Sequence, residues 1–385
     1  MPAVPEVPGI LTAEQCAATG AAIAAMQEPS GALPWFPGGQ TDPWDHVESA
    51  MALSVTGFHA EAQAAYEWSR RTQRPDGSWP IRMVVGRVTD PNTDANFCAY
   101  LAVGVWHHFL VTEDEAFLRR MWPTVWKAIE LVLRFQAPSG EIRWGGAHPL
   151  PHSQDSAAPG SSHAGSSHEG SAEVGAVPPG MFDDAMLTGS ASIHQALGCA
   201  ALLADAIGQP EPGWVAARDR LGHALRAHAD RFLPPSDHSM DWYYPVLGGA
   251  VRGRLGEELI AARWDEFVVT GLGARCVDHR PWVTGAETCE LVLALDCLGD
   301  DATARQLFAD MQHLRDPDGS YWTGLVYSDG KRWPVEKSCW TSAAVVLAAD
   351  ALSRTSPANG IFRDADPFSV PNPSSPELDC VCARV

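Results

Sequence analysis

Residues 68–79 read WSRRTQRPDGSW, and this stretch decides the fold because degenerate copies of it recur where helical segments end. Gln73, Pro75, Gly77 and Trp79 set the pattern. Proline cannot continue a helix, and glycine supplies the positive φ of the turn that follows one. The stretch therefore predicts the end of a helix and a tight turn after it.

Further copies of this stop signal occur along the chain. They run over residues 27–35, 136–144, 232–242 and 312–322, and the copy at 232–242 is the weakest. Repetition of a helix stop predicts repetition of a helical unit. The chain is therefore predicted to be an array of similar helical units.

Length and composition favour one globular domain. The 385 residues are 45% hydrophobic and 19% charged, which leaves ample material for a core. The formal net charge is −20 and no basic run occurs, which argues against nucleic acid and anionic membranes as partners. The N-terminus lacks the features of a signal peptide, and no run reaches the roughly 18 apolar residues of a transmembrane helix. We therefore predict a cytoplasmic protein without an integral membrane segment.

Two segments differ from the rest of the chain in composition. Residues 152–178 are rich in Ser, Gly, Ala, Pro and His, and we predict a disordered insertion there. Its histidines are better explained by a solvated loop than by a metal site, so no metal is predicted. Residues 357–385 form a Pro-rich tail, which leaves 1–356 as a single catalytic domain. The nine scattered cysteines are interpreted as reduced core residues.

Apolar helical segments alternate with amphipathic ones. Those that are apolar on every side lie near residues 42–55, 94–111, 183–207, 284–298 and 336–352. The segments between them, such as 114–136, carry their charges on one face. This alternation predicts an all-α (α/α)6 toroid with buried inner helices. An open α-solenoid is the less favoured alternative, because it needs more regular repeats and polar caps at its ends.

A ring of helical hairpins brings the N-termini of its inner helices to one mouth, where helix dipoles favour anions. Carboxylates and tryptophans cluster at these predicted starts, together with one amide and one amine side chain. The residues are Asp42, Trp44, Asp45, Asp94, Asn96, Asp184, Trp282, Glu287, Trp333, Glu336, Lys337 and Trp340. Any single Asp at a helix start is more often a cap. Capping, however, needs no aromatic neighbours, and a loop Trp requires something to stack on. Glycoside hydrolysis typically uses a pair of carboxyl groups, and flat aromatic rings stack on the faces of the sugar.

Glu336 is the predicted general acid, because Trp333 and Trp340 lower the local polarity and raise its pKa. Asp94 or Asp184 is the predicted general base, with Asp45 and Glu287 as alternatives. The predicted substrate contacts are Trp44, Asp45, Asn96, Trp282, Glu287, Trp333, Lys337 and Trp340. This chemistry needs no cofactor.

The stretch from Trp68 to Trp79 resembles the QW repeat of squalene and oxidosqualene cyclases, whose toroid is shared by protein prenyltransferases. On this basis the chain is similar to actinobacterial proteins described as prenyltransferase-like. The Asp-x-Asp-Asp acid motif of the cyclases is absent, and so are the zinc ligands of the prenyltransferases. The resemblance therefore implies an architecture rather than an activity.

Three segments of the C-terminal third resemble the six-hairpin glycosidase superfamily, which includes glucoamylase-like and trehalase-like enzymes. They are residues 280–287, 318–322 and 333–340. The resemblance implies hydrolysis by two carboxylates, commonly with inversion.

The sequence thus predicts a carbohydrate-active enzyme, a glycoside hydrolase of an oligosaccharide or glycoconjugate. Two alternatives stay open at this point. A terpenoid cyclase or prenyltransferase-like protein requires a diphosphate site, and a non-catalytic glycan-binding toroid requires carboxylates too far apart for catalysis. Neither the sugar nor the oligomeric state follows from the sequence.

Overall fold

Successive helices alternate between an inner and an outer ring in the computed structural model, which describes residues 3–148 and 180–364. Within these ranges the helices are α1 (Ala13–Met26), α2 (Pro43–Val55), α3 (His59–Thr72), α4 (Ala95–Thr112), α5 (Glu115–Leu133), α6 (Leu187–Ala206), α7 (Pro212–Ala227), α8 (Met240–Leu247), α9 (Gly253–Ala262), α10 (Trp264–Phe267), α11 (Gly285–Leu298), α12 (Asp301–Asp310) and α13 (Cys339–Ser353). Short 3-10 helices cover Ala229–Arg231 and Met311–Leu314. The first helix begins with the capping box that its sequence predicts, since Thr12 and Gln15 exchange hydrogen bonds.

The inner ring consists, in the described ranges, of α2, α4, α6, α8, α11 and α13. Each packs against the next, and α13 packs against α2 to close the ring. All residues of α2 are buried, which explains why this helix is apolar on every side apart from a few acids and a histidine. The predicted (α/α)6 toroid is confirmed.

A short turn joins each inner helix except α13 to the antiparallel outer helix that follows it, and α13 packs against α1 instead. All inner helices therefore run in the same direction. The long connections from an outer helix to the next inner one therefore meet at a single mouth. They carry the antiparallel strands β1 (Gln40–Thr41), β2 (Arg82–Val84), β3 (Arg87–Asp90), β4 (Thr93–Asp94), β5 (Gly145–Gly146), β6 (Val268–Val269), β7 (Gly273–Arg275), β8 (Trp282–Thr284), β9 (Gly324–Val326) and β10 (Lys331–Arg332). The sheets have the orders β1-β2-β3, β4-β5 and β10-β9-β8-β7-β6.

The repeated stop signal joins neighbouring outer helices. After α3, the Gln73 side chain donates to the Gly77 carbonyl at 3.0 Å and to the Thr124 carbonyl of α5 at 2.9 Å. Gly77 has a φ of +99°, and a β-carbon there would lie 2.3 Å from the carbonyl oxygen of Lys127 in α5. The turn therefore tolerates only glycine.

The same connection recurs after α1 and α5. Gln27 and Gln136 each donate to the carbonyl of the glycine four residues later and to a carbonyl of the next outer helix, Glu61 and Ala217 respectively. After α12, Gly319 lies against the backbone of Ala18 in α1. The recurring sequence pattern thus corresponds to a recurring contact between outer helices.

Inner helix α8 was not predicted by the periodicity. It is only eight residues long and contains Pro245, which removes a helical donor and reads as a helix breaker. The weak repeat at 232–242 ends inside this helix.

The predicted insertion at 152–178 lies outside the described residues, as does the tail from 365 onward. The described residues 357–364 pack on the toroid, with Ile361 and Phe362 buried and Arg363 paired with Asp296 at 2.6 Å. A domain boundary at 356 remains a prediction. The cysteines in the described ranges are unpaired, and no helix there is long and apolar enough to cross a membrane.

The contact at Gly77 is testable by comparison with a glycine that has a positive φ but no neighbour. Gly77→Ala should lower the free energy of unfolding by about 2–4 kcal/mol, because it combines backbone strain with a backbone clash. In the turn between β2 and β3, Gly86 has a φ of +72° and nothing within 4 Å of a built β-carbon. Gly86→Ala should therefore cost only about 1 kcal/mol of strain. Urea denaturation of both variants measures the difference. Equal losses of unfolding free energy would contradict a stabilising contact between Gly77 and α5.

Candidate active site

A cavity of about 400 Å³ opens at the mouth between α2, α4, α6 and α8, and is called the inner cavity below. Its apolar lining is Trp44, Phe97, Ile142, Trp144, Met186, Leu187, Ile193, Leu233 and Met240. Its side-chain hydrogen-bonding groups are Asp94, Asn96, Thr188, Ser190, Ser236, His238 and Asp241. A concave apolar site with a few convergent polar groups is typical of a ligand-binding pocket.

Asp94 reaches the inner cavity from the start of α4. Its Oδ1 caps the helix by accepting from the backbone amides of Asn96 at 2.8 Å and Phe97 at 3.2 Å. Burial, with a contribution from the nearby charge of Asp42, raises the pKa of Asp94 to about 7. Asp94 is thus a carboxyl group that can both hold and release a proton near neutral pH, as a general acid must.

Asp42 and Asp45 form a carboxyl pair at the start of α2. Asp42 accepts from the Asp45 amide at 2.9 Å and from the indole Nε1 of Trp35 at 2.8 Å. Burial raises the pKa of both groups, and the charge of Asp42 raises that of Asp45 further. Two neighbouring buried carboxyl groups disfavour each other's ionisation, so they titrate as a pair.

Two more acids lie deeper along the ring axis. Burial raises the pKa of Glu48 to about 8, while the indoles of Trp44 and Trp340 oppose this shift without reaching full hydrogen-bond geometry. Burial and the charge of Glu48 raise the pKa of Glu290, which accepts from the hydroxyls of Tyr243 and Tyr244.

Several buried polar atoms around the mouth have no hydrogen-bond partner within the described residues. They are Trp44 Nε1, Asp45 Oδ2, Glu48 Oε2, Asn96 Oδ1, Thr284 Oγ1 and Trp340 Nε1. A buried polar atom without a partner is costly, so such atoms are usually satisfied by water or by a ligand. Donors and acceptors of both kinds are therefore available to the hydroxyl groups of a sugar.

Asp241, in the first turn of α8, also lines the inner cavity and was not predicted from the sequence. Burial raises its pKa, but hydrogen bonds from Ser236 and Thr188 outweigh that effect and leave the pKa below its ordinary value. The Thr188 hydroxyl and amide donate to Oδ1, and the Ser236 amide and hydroxyl donate to Oδ2. Because both oxygens are occupied, Asp241 acts as a positioning residue that ties α6 and α8 to the loop between α7 and α8. The sequence signal that could have indicated Asp241 is its position near the end of the weak repeat at 232–242.

Glu336 and Lys337 line a different cavity, of about 520 Å³, called the rim cavity below. Burial raises the pKa of Glu336, although the Thr323 side chain opposes the shift. Lys337 Nζ lies 2.5 Å from Asp316 Oδ2 and 2.7 Å from Asp318 Oδ2. The structure therefore does not bring Glu336 into the cavity that contains Asp94.

Asp184 is exposed and does not line the inner cavity. Helix α6 begins at Leu187 rather than near 183, so Asp184 lies in the preceding loop. Its backbone carbonyl accepts from the Trp144 amide at 2.9 Å. The backbone of Asp184, rather than its carboxyl group, makes this contact.

The remaining predicted contacts lie on the side of the mouth formed by α11 and α13. Trp282 packs edge-on against Trp333 with ring centroids 4.7 Å apart, and Trp333 is 54% exposed. Glu287 is buried in the first turn of α11. Trp340 packs against Trp35 at 6.1 Å, which places it beside the carboxyl pair.

A possible cation site is present on the surface. Asp237, Asp278 and His279 offer ligand atoms that all lie within 4.8 Å of one another, and they are the one such group found within residues 3–148 and 180–364. Exposed acidic groups of this kind commonly occur without an ion.

Comparison with solved structures shows the fold alone, since the identities are low. A wild-type glycosidase superposes with a TM-score of 0.62 at 16% identity, covering 91% of this chain and 97% of that one. A D-mannose isomerase superposes with a TM-score of 0.60 at 10% identity, covering 91% and 100%. A rhamnosidase from Klebsiella oxytoca with rhamnose bound gives 0.57 at 14% identity, covering 90% and 65%.

Comparison of sequences is more specific. No family model matches the chain. The chain is 55% identical over 381 residues to a protein of Mycolicibacterium hassiacum named MMP endo-(1,4)-3-O-methyl-alpha-D-mannosidase. The match covers 99% of this chain and 97% of the relative. The chain belongs to the family of that mannosidase and is a glycoside hydrolase.

Proposed function

We propose that the chain is an endo-acting α-mannosidase that hydrolyses internal 1,4 linkages between 3-O-methylated mannose residues. The identity to the Mycolicibacterium hassiacum mannosidase extends over nearly the whole of both chains, which supports a shared substrate class. The apolar lining of the inner cavity, beside the carboxyl groups of the mouth, is the observation that carries the proposal.

The lining of the inner cavity suits a methylated sugar. A methyl ether replaces a hydroxyl donor by apolar surface. Removing that surface from water stabilises the complex. Ile142, Leu187, Ile193 and Leu233 supply aliphatic surface, and the Trp44 ring stands beside them. The lining contains no Lys or Arg, which disfavours the diphosphate of a terpenoid substrate.

Asp94 is the general acid in this proposal. Its Oδ1 is held by two backbone amides, which fixes the carboxyl group at the edge of the cavity. A protonated Asp94 delivers its proton to the oxygen of the breaking glycosidic bond, so that the leaving sugar departs as an alcohol. Glu336 is the alternative acid, but its position in the rim cavity disfavours this role.

The Asp42 and Asp45 pair supplies the base. An ionised carboxylate of this pair accepts a proton from the attacking water as the water oxygen bonds to the anomeric carbon. Trp35 and the Asp45 amide hold Asp42 in place. Asp184, the other base predicted from the sequence, is disfavoured by its exposure.

The other predicted contacts act as substrate-binding residues in this proposal. Trp44 and Asn96 contact the sugar in the inner cavity, and the unpartnered Asn96 carbonyl accepts from one of its hydroxyls. The groups on the opposite side of the mouth bind sugar residues further along the chain: Trp282, Glu287, Trp333, Lys337 and Trp340.

The role of Asp94 can be separated from helix capping with a matched control. Asp114 caps outer helix α5 by accepting from the Phe117 amide at 2.9 Å, away from the mouth. Asn retains the capping function in both places. We expect Asp94→Asn to lower kcat on a 1,4-linked 3-O-methyl-α-mannose oligosaccharide by about 10²–10⁴-fold, and Asp114→Asn to leave it near wild type.

Mass spectrometry of the products tests both the role and the function. Internal cleavage appears as fragments of intermediate length early in the reaction. Full activity in Asp94→Asn, together with loss of activity in Glu336→Gln, would transfer the acid role to Glu336. The absence of cleavage by wild type would contradict the substrate.

The pH dependence follows from the raised pKa of Asp94. The acid must be protonated, and its pKa is about 7, so kcat/KM should be steady on this limb below pH 7 and fall about tenfold per pH unit above it. The limb should persist in Asp114→Asn and be absent from the residual activity of Asp94→Asn. Initial rates between pH 5 and 9 measure it. A profile that stays flat to pH 9 in wild type would exclude Asp94 as the acid.

A further inference from the structure

The rim cavity lies at the same mouth as the inner cavity but on its other side. Phe36 and Pro37, in the loop before α2, form one wall. Residues 335–337, in the loop before α13, form another, and the last two turns of α1 close the back. Because both loops precede inner helices, the rim cavity opens in the same direction as the inner cavity.

Trp35 and the start of α2 connect the rim cavity to the carboxyl pair. Trp44 lines the inner cavity and Phe36 lines the rim cavity, and Asp42 stands between them in the chain. Trp35, next to Phe36, donates to Asp42 and packs against Trp340 at 6.1 Å. The loop that forms one wall of the rim cavity is therefore joined to Asp42 by a direct hydrogen bond, and Trp44, two residues after Asp42, lines the inner cavity.

The rim cavity combines an aromatic ring with polar groups. Lys337 Nζ lies 5.2 Å from the centre of the Trp322 ring and is held there by Asp316 and Asp318. Glu336 adds an acceptor, and Val335, which is 82% exposed, adds apolar surface at the entrance. Rings with fixed charged groups around them fit the apolar face and the hydroxyls of a sugar.

We propose that the rim cavity binds the sugar residues on the far side of the cleaved bond, so that the substrate chain lies across the mouth from one cavity to the other. This inference rests on the proposed function. An enzyme that cuts within a chain must hold sugar residues on both sides of the bond, and the inner cavity accounts for only one of those sides. Glu336 and Lys337 are then specificity residues that select for chain length.

A series of 1,4-linked 3-O-methyl-α-mannose oligosaccharides of increasing length tests the proposal. In wild type, kcat/KM should rise with length until both cavities are filled and then level off. Trp322→Leu and Glu336→Gln should lower kcat/KM about tenfold on the longest substrates, through KM, and leave the shortest unchanged. Trp126→Leu is the matched control, because Trp126 is 40% exposed on outer helix α5 and away from the mouth.

Calorimetric binding of the same oligosaccharides to Asp94→Asn, alone and combined with each rim variant, separates this inference from the proposed function. Affinity that rises with length and is lost in the rim variants supports the rim cavity, even if wild type cleaves nothing. Equal losses at every length, or no loss in either rim variant, would overturn it. Thermal melting shows whether Trp322→Leu is folded, and Glu336→Gln keeps the test decisive if it is not.

Discussion

The contact between a glycine turn and the backbone of the next outer helix is the constraint on which the ring depends. At Gly31, Gly77 and Gly140 a β-carbon would lie within 2.6 Å of a carbonyl oxygen of that helix. The preceding glutamine joins the same two segments with its amide group. Neighbouring outer helices from α1 to α7 are thereby joined, so backbone contacts as well as side-chain packing set their relative positions.

Much of the fold could be predicted because these contacts leave a residue pattern. Gln and Gly followed by an aromatic residue marked several outer-helix ends, and continuous apolar runs marked most inner helices. Helix α8 could not be found in this way, since it is short and Pro245 reads as a breaker. Its position depends on packing between α6 and α11, which the local sequence does not contain.

The class of chemistry could be predicted from the sequence, but which acids lie in the same cavity could not. Acids at helix starts and nearby tryptophans indicated a carbohydrate site. Which acids share a cavity depends on how the long loops fold, and these loops carry little periodicity. Glu336 has a hydrophobic sequence environment but lies in the rim cavity, whereas Asp94 reads as an ordinary cap and reaches the inner cavity. Asp241 was missed because the helix that carries it was missed.

The burial of the acids at the mouth also affects substrate binding. The formal charge of −20 counts every acid as ionised. Burial raises the pKa of the acids at the mouth, namely Asp42, Asp45, Glu48, Asp94 and Glu290, and thereby opposes their ionisation. The negative charge of the mouth is thus smaller than a count of its acids suggests. An uncharged glycan can then enter a mouth that has many hydrogen-bonding groups and little net field.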